Sequence, residues 1–237
     1  MRDMRVVIAG GHGKIALLLE RQLAQRGDGA VGLVRNPDHA DDVRAAGAEP
    51  LVVDLESSTP DDLAAHLTGA DAVVFAAGAG PNGGAERKNT VDRDAALLLA
   101  DAATRAGVTR YLLVSAMNID PPPTEQEDDS VWGTYLRAKK AAEDELRARR
   151  LDLTILRPGR LTDEEGTRRV ALASAHPVDG EKIGYGEVPR DDVAAVLAAL
   201  LDEPATAGTV LELIGGDVSV PEAVEALVGP PGGVAPL

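Results

Sequence analysis

The fold of this 237-residue chain is decided by one stretch, Val6-Val7-Ile8-Ala9-Gly10-Gly11-His12-Gly13-Lys14-Ile15-Ala16. A β-branched run ends in glycines, and from Ile15 apolar residues recur at spacings of three and four. This pattern predicts a strand, a tight turn and a helix N-terminus, which together bind a diphosphate. Glycine allows the backbone angles of such a turn and lets phosphate oxygens reach the N–H groups. An ordinary strand-to-helix turn is the alternative interpretation.

Two frames of the dinucleotide-binding pattern fit the turn, one starting at Gly11 and one at Gly10, and both place Ala16 in the last small position. The phosphate loop of ATPases is not matched, because Ile8 and Ile15 stand where its first glycine and its hydroxyl residue are required. The predicted contacts of the turn with a cofactor are Gly10, Gly11, His12, Gly13, Lys14 and Ile15.

Composition narrows the class of protein. The net charge of −15 argues against nucleic acid and anionic membranes as partners. Cysteine is absent, and the four histidines show no metal-ligand spacing, so we expect no disulfide and no metal. With no apolar run of membrane-spanning length and no signal-peptide pattern, we expect a cytoplasmic protein.

Strands and helices alternate along the chain, which predicts a Rossmann-like α/β fold with a doubly wound parallel sheet. The predicted strands are 6–9, 30–34, 49–54, 70–78, 110–114, 153–158 and 209–214, and the predicted helices after the first are 37–46, 60–67, 90–106, 131–150, 191–201 and 220–227. Residues 159–188 are expected to be irregular, with one strand near 170–173. The glycine-rich segment 78–84 is predicted to be a flexible loop, either a lid or a plain connection.

We expect one domain over residues 1–237. Its parts are a nucleotide-binding core at 1–157, substrate-side elements at 158–228 and a disordered tail at 229–237.

Arg35 follows the second predicted strand directly, at the position that meets the adenosine ribose in dinucleotide-binding folds. An acidic residue there binds the 2′-hydroxyl of NAD, whereas arginine accommodates a 2′-phosphate. No carboxylate follows that strand directly, so the sequence predicts a preference for NADP(H) over NAD(H). A solvated arginine at a strand end is the alternative.

Ser115 ends the fifth predicted strand, and Tyr135 and Lys139 lie one turn apart on the helix after it. A protonated lysine lowers the pKa of a nearby tyrosine, which makes the phenol a usable acid–base group. The serine hydroxyl is suited to hold a carbonyl or alcohol oxygen while the phenol moves the proton. Chance occurrence of this tyrosine–lysine spacing is the alternative.

These residues together resemble the short-chain dehydrogenase/reductase superfamily over residues 4–228, and most of all its atypical NAD(P)H-binding branch. That branch includes proteins similar to NmrA, to biliverdin reductase B and to epimerases of sugar nucleotides. The resemblance implies contacts with adenine at Asp54 and Leu55, with its ribose at Ala76, Ala77 and Gly78, and on the nicotinamide side at Lys139, Pro158, Gly159 and Leu161.

One residue departs from the pattern of the superfamily. Asp92 stands where an asparagine is usual, so it either pairs with Lys139 or acts as a second acid–base group. Two hypotheses follow. One is an NADP(H)-dependent oxidoreductase or epimerase acting on a small carbonyl or alcohol, with Tyr135 as proton relay. The other is a catalytically silent cofactor-binding sensor that resembles NmrA. The sequence leaves the oligomeric state open.

Overall fold

The structure, a computed structural model, describes residues 3–78, 89–177 and 182–228. Within these ranges the strands β1 to β11 are Arg5–Ala9, Gly29–Val34, Glu49–Val52, Ala72–Phe75, Arg110–Val114, Asp152–Pro158, Arg160–Thr162, Arg169–Ser174, Glu187–Pro189, Val210–Gly215 and Val218–Ser219. The α-helices α1 to α7 are Lys14–Gln25, Ala40–Ala45, Pro60–Leu67, Ala95–Ala106, Val131–Arg147, Arg190–Leu201 and Val220–Val228. A π-helical segment, Thr90–Asp94, leads into α4.

The main sheet positions the site. In the described residues it has nine strands in the order β11-β8-β10-β6-β5-β4-β1-β2-β3. The strands from β10 to β3 are parallel, whereas β8 runs antiparallel to β10 and β11 antiparallel to β8. The chain builds outward from β1 to β3 and then crosses to β4 on the other side of β1. Ligands bind at such a reversal, beyond the carboxyl ends of the strands.

Helices cover both faces of this sheet. Val6 and Ile8 of β1 pack in one core with α1, α2, α6 and α7, while Val7 and Ala9 pack in a second core with α3, α4 and α5. Successive side chains of a strand point to opposite faces, so a strand that is covered on both sides must be apolar throughout. This confirms the predicted doubly wound α/β fold, and the antiparallel edge is an addition to it.

Several predicted boundaries are wrong by a few residues. The third strand ends at Val52, the fourth spans only Ala72–Phe75, and the helix that starts at Val131 ends at Arg147. The prediction for 159–188 is wrong in part, because β7 and β9 pair in parallel with each other. The strand predicted near 170–173 is confirmed by β8, which spans six residues. Strands of three residues are too short to show alternation in a sequence.

Two predictions lie largely outside the described residues, namely the flexible loop from residue 79 onward and the tail 229–237. In the part of the chain that the structure describes, no helix is both long and apolar enough to cross a membrane.

Candidate cofactor and active site

The turn between β1 and α1 depends on glycine at two close approaches. Gly10 has φ +79°, and a Cβ there would lie 2.6 Å from the Cα of Ala77. A Cβ on Gly11 would lie 2.6 Å from the Cα of Gly32 in β2. Real Cβ atoms do not come so close to backbone, so the turn fits between β2 and the end of β4 only because both side chains are missing.

The N-terminus of α1 has open N–H groups. Gly13 is the N-cap residue, no side chain caps the helix, and its first turn holds no acidic residue. The first N–H groups of a helix have no partner within the helix, and the helix dipole adds partial positive charge there. The residues present therefore fit an anionic diphosphate.

Two cavities flank this turn. We call the first the large cavity; it has a volume of about 610 Å³. Its lining residues are Ile15, Ala76, Ala77, Gly78, Asp92, Val114, Ser115, Val131, Trp132, Tyr135, Lys139 and Leu161. The second, the small cavity, has a volume of about 180 Å³. Its lining residues are Gly10, Leu33, Arg35, Val53, Asp54, Leu55, Glu56, Ala77, Gly78, Val91 and Ala95.

The backbone at Ala77 and Gly78 borders both cavities. Gly10, at the start of the turn, lines the small cavity, and Ile15, in the first turn of α1, lines the large one. The turn between β1 and α1 therefore lies between the two cavities. A dinucleotide has this same layout, with two halves joined by a diphosphate.

A carboxylate meets Arg35 at the rim of the small cavity. The Nη1 atom of Arg35 donates to Oε2 of Glu56 at 2.8 Å, and Oγ1 of Thr90 donates to Oε1 of the same carboxylate at 2.7 Å. Glu56 belongs to the loop after β3. Glu56 is not among the residues predicted from the sequence, although its position two residues after Asp54 was a usable signal.

Ser115, Tyr135, Lys139 and Asp92 are brought together by the large cavity. The Nζ atom of Lys139 lies 5.8 Å from the centre of the Tyr135 ring and donates to the carbonyl oxygen of Val114 at 3.0 Å. It also lies 3.3 Å from Oδ1 of Asp92, and both side chains are almost fully buried. Of the two roles expected for Asp92, the structure shows the pairing with Lys139.

The pKa values of this cluster differ from the expectation drawn from the sequence, in which Lys139 lowers the pKa of Tyr135. Burial raises the pKa of Tyr135 above its usual value; Lys139 lowers it, but not enough to offset burial, and Asp92 raises it further. Burial lowers the pKa of Lys139, yet its interactions with Tyr135, with the Asp92 carboxylate and with Glu143 outweigh burial and raise it overall. The lysine therefore stays protonated, and the phenol keeps its proton across neutral pH.

Six predicted cofactor residues line neither cavity, and two of them, Gly11 and Gly13, belong to the turn itself. The His12 side chain contacts α2, because its Nε2 lies 2.7 Å from Oδ2 of Asp42. Its ring also stacks on that of His39, just before the helix. Lys14 is paired with Asp163, which also accepts from Arg190 at 2.6 Å. In the described chain, Pro158 and Gly159 adjoin Leu161 without lining the large cavity themselves.

Trp132 is also not among the site residues predicted from the sequence. It is 58% exposed, lines the large cavity and stacks on Tyr135 with ring centres 5.0 Å apart. Its spacing of three residues from Tyr135 on the same helix was the signal that could have found it.

The sequence matches the family described as NAD(P)H-binding over residues 10–204. The chain belongs to the NAD(P)H-binding family. Its cofactor is therefore a nicotinamide dinucleotide, which agrees with the turn and the two cavities, and the resemblance drawn from the sequence is confirmed.

Several known proteins are similar to this chain over most of its length. An uncharacterized sugar epimerase, YhfK of Bacillus subtilis, is 34% identical over 225 residues, which cover 94% of this chain and 100% of YhfK. A Bacillus halodurans structure provisionally named an NAD-dependent epimerase/dehydratase is also 34% identical, with a TM-score of 0.81 and coverage of 94% and 100%. The anaerobillin reductase ChuY of Escherichia coli O157:H7 has a TM-score of 0.73 at 24% identity, covers 91% of this chain and 99% of its own, and shares the fold.

Proposed function

We propose that this chain is an NADP(H)-dependent oxidoreductase or epimerase that acts on a small carbonyl or alcohol substrate. The observation that carries the proposal is the hydroxyl of Ser115. It is buried, it lines the large cavity with Tyr135 and Lys139, and its Oγ has no hydrogen-bond partner in the described structure. A buried hydroxyl without a partner costs free energy, so this atom favours a substrate oxygen as its partner.

The residues have distinct roles in this proposal. The bound cofactor supplies or accepts hydride at the substrate carbon. Ser115 donates a hydrogen bond to the substrate oxygen, and Tyr135 gives that oxygen a proton in reduction; in oxidation the phenol must lose its own proton before it can accept the proton of the alcohol. Lys139 keeps its charge beside the phenol, and Asp92 holds the ammonium in place against the carbonyl oxygen of Val114.

The names of two relatives support a carbonyl or alcohol substrate, since YhfK is called a sugar epimerase and the Bacillus halodurans protein an epimerase/dehydratase. The large cavity, about 610 Å³, lies within the usual range for a small-molecule site. In this proposal residues 1–157 bind the nucleotide, and residues 158–228 shape the substrate side of one domain.

Arg35 supports the preference for NADP(H). Its guanidinium is about half exposed at the rim of the small cavity, beside Asp54 and Leu55. A guanidinium in this place suits a 2′-phosphate. A catalytically silent sensor is not favoured, because such a protein has no need of a buried serine hydroxyl beside a tyrosine and a lysine.

The test is Tyr135→Phe in an NADPH-dependent carbonyl reductase assay, run after a panel of small aldehydes and ketones has given a substrate. We expect kcat to fall by about 10²- to 10⁴-fold, because the variant has no phenol proton to give. NADPH should still raise the melting temperature, since the phosphate turn is unchanged.

The matched control is Tyr111→Phe. This change removes a buried hydroxyl that donates a hydrogen bond to the carbonyl oxygen of Ala96 at 3.0 Å, outside both cavities. It should cost about 1 kcal/mol of stability and leave kcat unchanged. Full activity in Tyr135→Phe would show that the proposed proton relay is wrong.

A further inference from the structure

The pair formed by Arg35 and Glu56 bears directly on cofactor choice. Both side chains line the small cavity, and the guanidinium that faces the 2′ position in the proposed function already holds a carboxylate at 2.8 Å. The Arg35 side chain is 54% exposed, whereas that of Glu56 is 27% exposed. The arginine is thus open to a ligand, and the carboxylate stands beside it.

Glu56 is fixed in this place by its own loop. Its backbone N–H donates to Oδ1 of Asp54 at 3.1 Å, and Oγ of Ser58 donates to the carbonyl oxygen of Asp54 at 2.7 Å. Thr90, at the start of the π-helical segment, donates to the second carboxylate oxygen at 2.7 Å. A carboxylate held by Arg35, by Thr90 and through its own backbone does not swing freely into solvent.

We propose that Glu56 sets the discrimination between NADP(H) and NAD(H), by competing with the 2′-phosphate for Arg35. This inference rests on the proposed contact of Arg35 with that phosphate. A 2′-phosphate carries −1.5 to −2 charges near neutral pH. A 2′-phosphate bound beside Glu56 is repelled by the carboxylate and has to share the Arg35 guanidinium with it. The 2′-hydroxyl of NADH carries no charge and can donate a hydrogen bond to the same carboxylate. Glu56 therefore weakens NADPH binding and leaves NADH binding unaffected or favoured.

The experiment is calorimetric titration of Glu56→Gln with NADPH, NADH and 2′,5′-ADP. Glutamine keeps the shape and an oxygen for Thr90 but removes the charge. We expect NADPH and 2′,5′-ADP to bind about tenfold more tightly, as the Coulomb energy between charges several ångströms apart at a surface implies. NADH should bind equally well or more weakly. The gain for NADPH should shrink in high salt, because the pair lies near solvent.

The matched control is Asp61→Asn. Asp61 forms a surface pair with Arg105 at 2.7 Å, outside both cavities, so this variant has the same net charge as Glu56→Gln. It should leave all three affinities unchanged. An equal gain in the control would assign the effect to overall charge and overturn the inference. Unchanged or weaker NADPH binding by Glu56→Gln would overturn it as well.

Arg35→Gln separates this inference from the proposal on which it rests. If Arg35 holds the 2′-phosphate, this variant should weaken NADPH and 2′,5′-ADP but not NADH. An unchanged NADPH-to-NADH ratio in Arg35→Gln would refute the NADP(H) preference itself. A lower ratio there, combined with no effect of Glu56→Gln, would refute the role of Glu56 alone.

Discussion

Glu20 is a buried acid that the proposed chemistry does not use. It lies on α1, is fully buried, and neither carboxyl oxygen has a hydrogen-bond partner among the residues described. Its carboxyl packs on β2 where Gly32 leaves room, since a Cβ at Gly32 would overlap it. Burial raises the pKa of Glu20 to about 8, so the side chain is mostly neutral at pH 7.

This shift predicts a loss of stability as pH rises. The unfolded chain releases the proton near pH 4.5 and the folded chain only near pH 8, so between these values the folded state binds more protons. The free energy of unfolding should fall by roughly 3–5 kcal/mol across that window through this one group, and no further above it. In Glu20→Gln this part of the pH dependence should vanish, as measured by urea unfolding at pH 5, 7 and 9.

Glu225→Gln on the exposed face of α7 is the control, and its unfolding curves should follow those of the wild type at each pH. A pH dependence in Glu20→Gln equal to that of the wild type would mean that the buried carboxyl ionises normally.

At the scale of elements, α5 is tied to β6 by one buried ion pair. Nε of Arg157 donates to Oε1 of Glu143 at 2.9 Å, and both side chains are at most 2% exposed. Glu143 is one turn beyond Lys139, so the pair fixes the helix that carries Tyr135 and Lys139. Without Glu143, the Arg157 guanidinium keeps only Asp120, whose Oδ2 lies 3.5 Å from Nη2, and no water reaches this buried place to replace the lost carboxylate.

Glu143→Ala should therefore lose about 3–5 kcal/mol in the free energy of unfolding. The double variant Glu143→Leu with Arg157→Met should lose much less, because no charge remains buried. Urea unfolding of both variants measures this difference. A double variant less stable than Glu143→Ala would contradict the prediction. Where Glu143→Ala folds, kcat should fall more than NADPH affinity, since α5 shapes the large cavity rather than the phosphate turn.

The sequence predicted those elements whose pattern is long and local. The strand Arg110–Val114, the helix Pro60–Leu67 and the start of the predicted helix at Val131 are where the pattern puts them. It could not predict β7 and β9, because each has three residues and is defined by a partner 27 positions away, as in the pairing of Arg160 with Glu187. Pairing over that distance leaves no local signal.

The same limit applies to the candidate site. The grouping of Ser115, Tyr135 and Lys139 could be predicted from the sequence, because a strand end and one helical turn are local features. The contact between Glu56 and Arg35 could not be predicted in this way, since it depends on the register of β2 and β3. The carboxylate that meets Arg35 at the end of β2 comes from the loop after the neighbouring strand, β3.

At the scale of the whole molecule, the net charge of −15 opposes the approach of an anionic cofactor. The basic residues closest to the phosphate turn do little to reverse this at a distance, because Lys14 is paired with Asp163 and Arg35 with Glu56. Attraction by the N-terminus of α1 falls off within about one helical turn. An approaching dinucleotide is thus repelled first and attracted only on contact.

Salt should therefore speed the association of NADPH with the protein. We expect the association rate constant to rise about two- to fivefold between 20 and 200 mM salt, because the Debye length shortens and the repulsion is screened. Stopped-flow fluorescence of NADPH measures it directly, and NADH, which lacks the 2′-phosphate, should show a smaller rise. A rate that falls with salt would mean that positive potential at the turn extends into solvent, and that the pairs with Asp163 and Glu56 open before the cofactor arrives.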